Sequence, residues 1–164
     1  MKDWISWLWD LIYMTVLFFF VVLPFSFGAQ PDDNEALMSW AVLLSGYPAP
    51  DKMPNTMLVK HQFLERSACG NKPCGVLAWF DGKQTIYLDD RLNLDNTADK
   101  SIVVHEDMHY LQHSSGKFGA SCQDAMKQER EAYAVQQEFL VRHGIYYLVG
   151  TGIHFSGCDM PDAM

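Results

Sequence analysis

A chain of 164 residues with 12 basic and 20 acidic side chains has room for one small domain and carries a net charge of −8. That balance excludes recruitment to nucleic acid or to anionic lipid by long-range attraction. The acidic residues are spread along the chain, with no internal repeat and no low-complexity stretch, so a solvated acidic surface is their ordinary explanation.

Lys2 is the one basic residue ahead of an apolar run from Leu11 to Leu23, which continues through Pro24, Phe25, Ser26, Phe27 and Gly28 to Ala29. The run is short for a membrane span and suits the hydrophobic centre of a signal peptide. Small residues stand where a signal peptidase reads, although cleavage after Ala29 leaves Phe27 at the −3 place. Trp4, Trp7 and Trp9 instead suit an uncleaved N-terminal anchor with its rings at the membrane interface. Both readings of residues 1–29 export the rest of the chain, residues 30–164, to the periplasm or beyond. Without that segment 11 basic and 18 acidic side chains remain, a net of −7.

Pro31 and the run Asp32-Asp33-Asn34-Glu35 predict a helix start, and Ala36, Leu37, Trp40, Leu43 and Leu44 give it an apolar stripe as far as Gly46. Met57 to Arg66 reads as a second helix, with Met57, Leu58, Phe63 and Leu64 inward and His61 at the surface. The period then changes. Gly75 to Phe80 and Lys83 to Leu88 flank Asp81-Gly82, which predicts a hairpin. Cys69 and Cys74 bracket a turn-rich loop that a local disulfide would close. Cys122 and Cys158 would then pair and tie the C-terminal tail to a later helix.

The stretch that carries chemistry is Ile102-Val103-Val104-His105-Glu106-Asp107-Met108-His109-Tyr110-Leu111. It has no Gly or Pro, with Asp95 and Thr97 as the best N-cap candidates before it and Asp99 in its first turn. On a helix His105 and His109 project from one face, one turn apart, and can ligate a single zinc ion. Glu106 borders that position without ligating, where a general base for an attacking water must stand. His113 lies about 12 Å along the axis from His105, too far to share the ion, and is expected exposed or capping. Gln112 and Ser115 occupy the places where a longer His-Glu-x-x-His pattern carries Gly and a third His.

A third ligand is therefore expected from the next helix, Ser121 to His143, closed by Gly144. Glu129 shares a face with Ala132, Tyr133, Gln136 and Leu140, where a carboxylate needs a partner. Glu131 points about 200° away from it, so only one of the two can face the site; Glu129 is favoured and Glu131 is the alternative.

His105-Glu106-x-x-His109 followed by Glu129-x-x-Ala132-Tyr133 resembles the gluzincin group of zinc metallopeptidases. The whole chain is similar to small exported bacterial proteins with the same signature. The resemblance implies zinc held by His105, His109 and Glu129, and a peptide or protein substrate hydrolysed with Glu106 as base. It also implies an edge strand over the metal that pairs with an extended substrate, either Ile86-Tyr87-Leu88 or its hairpin partner. Tyr133 stands where the group carries a carboxylate behind a ligating histidine. Tyr133, Tyr146, Tyr147 and His154 are candidates to donate a hydrogen bond to an oxyanion.

The expectation is an exported α+β, zincin-like domain, with helices packed on a small antiparallel sheet. The competing expectation is a non-catalytic zinc-binding structural module of the cell envelope. Four cysteines beyond an export segment predict no free thiol. Thiol titration of the denatured, unreduced protein should find none, and two or more free groups would contradict the pairing.

Overall fold

The structure, a computed structural model, describes residues 33–119, 121–152 and 158. The expected export segment, 1–29, lies outside them, as does His154. Contacts divide the chain between Gln30 and Pro31, and all described residues belong to the second unit. Among them no helix is long and apolar enough to cross a membrane.

Four helices and three strands follow in the order α1 (Asp33–Ser45), β1 (Asn55–Val59), α2 (His61–Ala68), β2 (Ala78–Phe80), β3 (Thr85–Asp89), α3 (Thr97–Ser114) and α4 (Cys122–Arg142). The α+β class is as expected. The sheet is not wholly antiparallel: its order is β1-β3-β2, with β2 antiparallel and β1 parallel to the central β3.

The parallel strand corrects the second expected helix. Residues 55–59 are extended, Lys60 is still extended, and the helix begins only at His61. Met57 and Leu58 are 51% and 60% exposed, so they form no inward helical stripe. Pairing with β3 decides the matter, for it supplies hydrogen bonds that the local sequence does not announce. Asn55 N–H donates to Gln84 O at 2.8 Å, and Asp90 N–H to Val59 O at 2.9 Å. The hairpin forms, but its connection is longer than a two-residue turn. Asp81 Oδ1 accepts from the N–H groups of Lys83, Gln84 and Thr85 at 2.9–3.0 Å, and Gly82 takes a positive φ of 70°.

α3 is buried on most sides because α1, α4 and the sheet all pack on it. Val103, Val104, Met108 and Leu111 are at most 1% exposed, and truncating any of them to Ala costs about 2–5 kcal/mol. Neither expected N-cap is used. Asn96 caps the helix, its side chain accepting from Ala98 N–H at 2.8 Å. α4 is capped by Ser121 and followed by Gly144 at φ 76°. Both disulfides are present, Cys69–Cys74 and Cys122–Cys158.

His61, expected at the surface, is instead partly covered and belongs to an ion-pair group around the buried Asp89 at the end of the sheet. Its Nδ1 lies 2.7 Å from the fully buried Asp89 carboxylate, and its Nε2 lies 3.0 Å from Cys74 O. Arg91 donates to the same carboxylate through Nε at 2.8 Å and through its backbone N–H at 3.0 Å. The Arg91 hydrogen bonds outweigh burial and, with His61, hold Asp89 well below the usual carboxylate range. A depressed pKa contributes stability above about pH 4 that is lost as the pH falls below it. Asp89→Asn should therefore unfold at lower denaturant by about 2–3 kcal/mol near neutral pH. It should also flatten the acid limb of the stability profile; denaturant melts of both forms from pH 7 downward check this.

Candidate metal centre

Mid-helix placement on α3 sets His105 and His109 one turn apart, with their Nε2 atoms 3.2 Å from each other. α4 runs alongside and delivers Glu129, whose two oxygens lie 3.4 Å from His105 Nε2 and 3.2 Å from His109 Nε2. Ligand atoms of the three residues all fall within 4.8 Å of one another. A tetrahedral ion with bonds of about 2.0–2.1 Å keeps its donors about 3.3–3.4 Å apart. Two imidazoles and a carboxylate at this spacing fit one divalent cation.

Glu131 serves a different purpose. Its Oε2 accepts from Tyr47 Oη at 3.0 Å and from Gln112 Nε2 at 3.2 Å. Burial and the adjacent Glu131 carboxylate push the Tyr47 phenol up to about 12. His113 is neither exposed nor a ligand; its ring packs edge-on against Phe80 and Phe118.

Charge is concentrated where α3 meets α4. Burial alone would raise the Glu129 carboxyl, yet hydrogen bonds from His105 and His109 hold it far below its ordinary value. Burial alone would lower His109, but its bond to Glu129 and the charges of Glu106 and Glu129 raise it. Asp107, on the opposite side of the motif, is pushed well up by complete burial and then by the Glu106 charge.

A cleft of about 460 Å³ opens over the triad. His105, Glu106, His109, Glu129 and Tyr133 contribute its polar side, and β2 with Gly75–Leu77 forms the facing wall. β3 is hydrogen-bonded on both sides, so Ile86–Leu88 cannot take up an added strand. β2 is an edge. Leu77 and Asp81 bond inward to β3, and strand alternation turns the N–H and C=O of Ala78 and Phe80 outward.

Tyr133 packs its ring on His105, centroids 4.4 Å apart. Burial raises its phenol, helped by the charges of Glu129 and Glu106. Gly150 covers that ring so closely that a Cβ there would stand 2.3 Å from Tyr133 Cγ, and its φ is 65°. Tyr146 and Tyr147 do not join the site; they are 76% and 51% exposed on the segment after α4.

Three glutamines of this seam escape sequence reasoning. Gln112, fully buried, has Oε1 2.9 Å from His109 Nδ1 and donates from Nε2 to Gln128 O at 3.0 Å. Gln128 and Gln136 are each 6% exposed. Gln136 Nε2 donates to Ser101 Oγ at 3.0 Å. The spacing of Gln112, three residues past His109, was the available signal. Gln136 was legible only as a neighbour of Glu129 on one helical face, because its partner, Ser101, lies on another helix.

Comparison of the chain with known protein families, curated proteins and solved structures finds no match.

Metal titration of the full chain followed by calorimetry should give one divalent ion per chain, as one triad of ligands requires. His105→Ala, His109→Ala and Glu129→Gln should each lose at least about tenfold in affinity, whereas His113→Ala should bind as the parent does. Retention of the ion in both histidine variants would sink the site.

Proposed function

We propose that this protein is an exported, zincin-like zinc metallopeptidase in which His105, His109 and Glu129 hold the metal. The observation that carries the reading is the convergence of two imidazoles and one carboxylate at zinc-ligand spacing, with Glu106 beside them in an open cleft. Zinc bound there would polarise a peptide carbonyl and acidify the attacking water. Borderline-soft imidazole with one carboxylate is a donor set that suits zinc, and three protein ligands leave a position open.

Glu106 is 7% exposed and lines the cleft. Its carboxylate takes the proton of the attacking water and passes it to the leaving nitrogen. Tyr133 offers a phenol proton for hydrogen bonding to the developing oxyanion, since its raised pKa keeps it protonated. The free edge of β2 aligns an extended peptide through the N–H and C=O of Ala78 and Phe80. Two disulfides suit an oxidising compartment, periplasmic or extracellular. The zincin-like assignment is supported by two adjacent helices that carry the three ligands and by β2, which packs on the first of them.

Glu106→Gln separates peptidase from structural metal module. It keeps size and polarity, so zinc content and thermal stability should stay near those of the parent. Peptide hydrolysis should fall by at least about 10²-fold, the lower bound for general-base chemistry. A diverse peptide library digested by both forms and read by mass spectrometry measures this. If the zinc-loaded parent cleaves nothing, or Glu106→Gln cleaves equally well, the structural module takes its place.

A further inference from the structure

We propose that two glutamines, Gln112 and Gln136, are the positioning residues of the metal histidines, Gln112 for His109 and Gln136 for His105. The inference rests on the metal reading above and concerns how this chain aims its ligands. A ligating imidazole must give its lone pair to the metal from one nitrogen and place the proton of the other on an acceptor.

Gln112 meets that requirement directly. Its Nε2 is committed to two acceptors, Gln128 O and Glu131 Oε2, so the amide cannot be turned round. Its Oε1 therefore faces His109 Nδ1 at 2.9 Å and can only accept. With a metal at Nε2, the ring proton would lie on Nδ1 and be donated to Gln112 Oε1.

Gln136 is placed by the same logic. Ser101 Oγ gives its own proton to Ala98 O at 2.6 Å, so it receives from Gln136 Nε2 at 3.0 Å. That fixes Gln136 Oε1 as a buried acceptor, and it has no partner. His105 Nδ1, the donor that must be satisfied once Nε2 ligates, is also buried without a partner. The two unmatched atoms are complementary but not hydrogen-bonded to each other, and their residues line the same cleft. Ser101, which Gln136 holds, lies one turn before His105, and Tyr133, which packs on His105, lies one turn before Gln136. The other unpartnered buried atoms among the described residues belong to Asp107, about 200° round α3 from His105, and to Ser115, about 15 Å along it.

Neutral amides in these places make the imidazoles weaker donors than carboxylate partners would. The nearest charge behind His109, Glu131, is held one side chain away through Gln112. The metal should accordingly exchange more readily than at a carboxylate-backed site.

The test uses the full chain and zinc, with affinity measured by chelator competition for the parent, Gln112→Met, Gln136→Met and Gln136→Glu. Each Met variant keeps the side-chain length and should lose about 10–100-fold in zinc affinity. Gln136→Glu restores an acceptor and should return affinity to the parental level or above. Long-range proton–nitrogen NMR of the zinc-loaded parent should show protected Nδ1 protons on both histidines, a readout that needs no variant to fold. Met variants within twofold of the parent, or a histidine ligating through Nδ1, overturn the proposal while leaving the metal site standing. A parent that takes up no zinc removes both.

Discussion

The polar seam between α3 and α4 is the constraint on which the rest of the structure depends. Two histidines, three carboxylates and three glutamines lie where α3 packs on α4, and each must find a partner or cost stability. The chain meets this with a directed series. Tyr47 donates to Glu131, Gln112 donates to Glu131 and to Gln128 O, and Gln112 Oε1 faces His109. Gln136 and Ser101 continue the seam one turn before His105. Partly satisfied networks of this kind are unfavourable in the absence of function, which marks the two unpartnered atoms, His105 Nδ1 and Gln136 Oε1, as points of interest.

Around that seam the fold supplies rigidity from outside. α1 packs across both helices, with Trp40 edge-on to Phe139. The segment after α4 turns back along it: Gln137 Nε2 donates to Tyr147 O, Val149 N–H donates to Gln137 Oε1, and Gly150 lies on Tyr133. Cys158 then closes the return onto Cys122 at the start of α4. Tyr133 is thus pressed toward His105 by a backbone that only glycine permits to come so close. On the other side the Asp89 ion-pair group fastens the end of β3 to α2 and, through His61 and Cys74 O, to the disulfide loop that leads into β2. The wall of the cleft and its floor are therefore held by separate devices.

The sequence by itself determined the elements whose signal is local. The long helix with His105, Glu106 and His109 follows from unbroken periodicity, and the end of α4 from Gly144, because helix hydrogen bonds join residues four apart. The hairpin around Asp81-Gly82 was legible for the same reason, and the placement of Glu129 rather than Glu131 beside the histidines followed from the mostly apolar helical face that Glu129 shares. The cysteine pairing was legible from the short loop between Cys69 and Cys74, which left one pairing for the others. What only the tertiary structure decided depends on partners far along the chain. β1 carries a helix-like sequence because its hydrogen bonds come from β3, some thirty residues later, and strand pairing leaves no periodic mark in five residues. The same holds for His61 with Asp89, for Gln136 with Ser101, and for the choice of β2 as the free edge. Each rests on the packing of one element against another, a relation that helical or strand period does not encode.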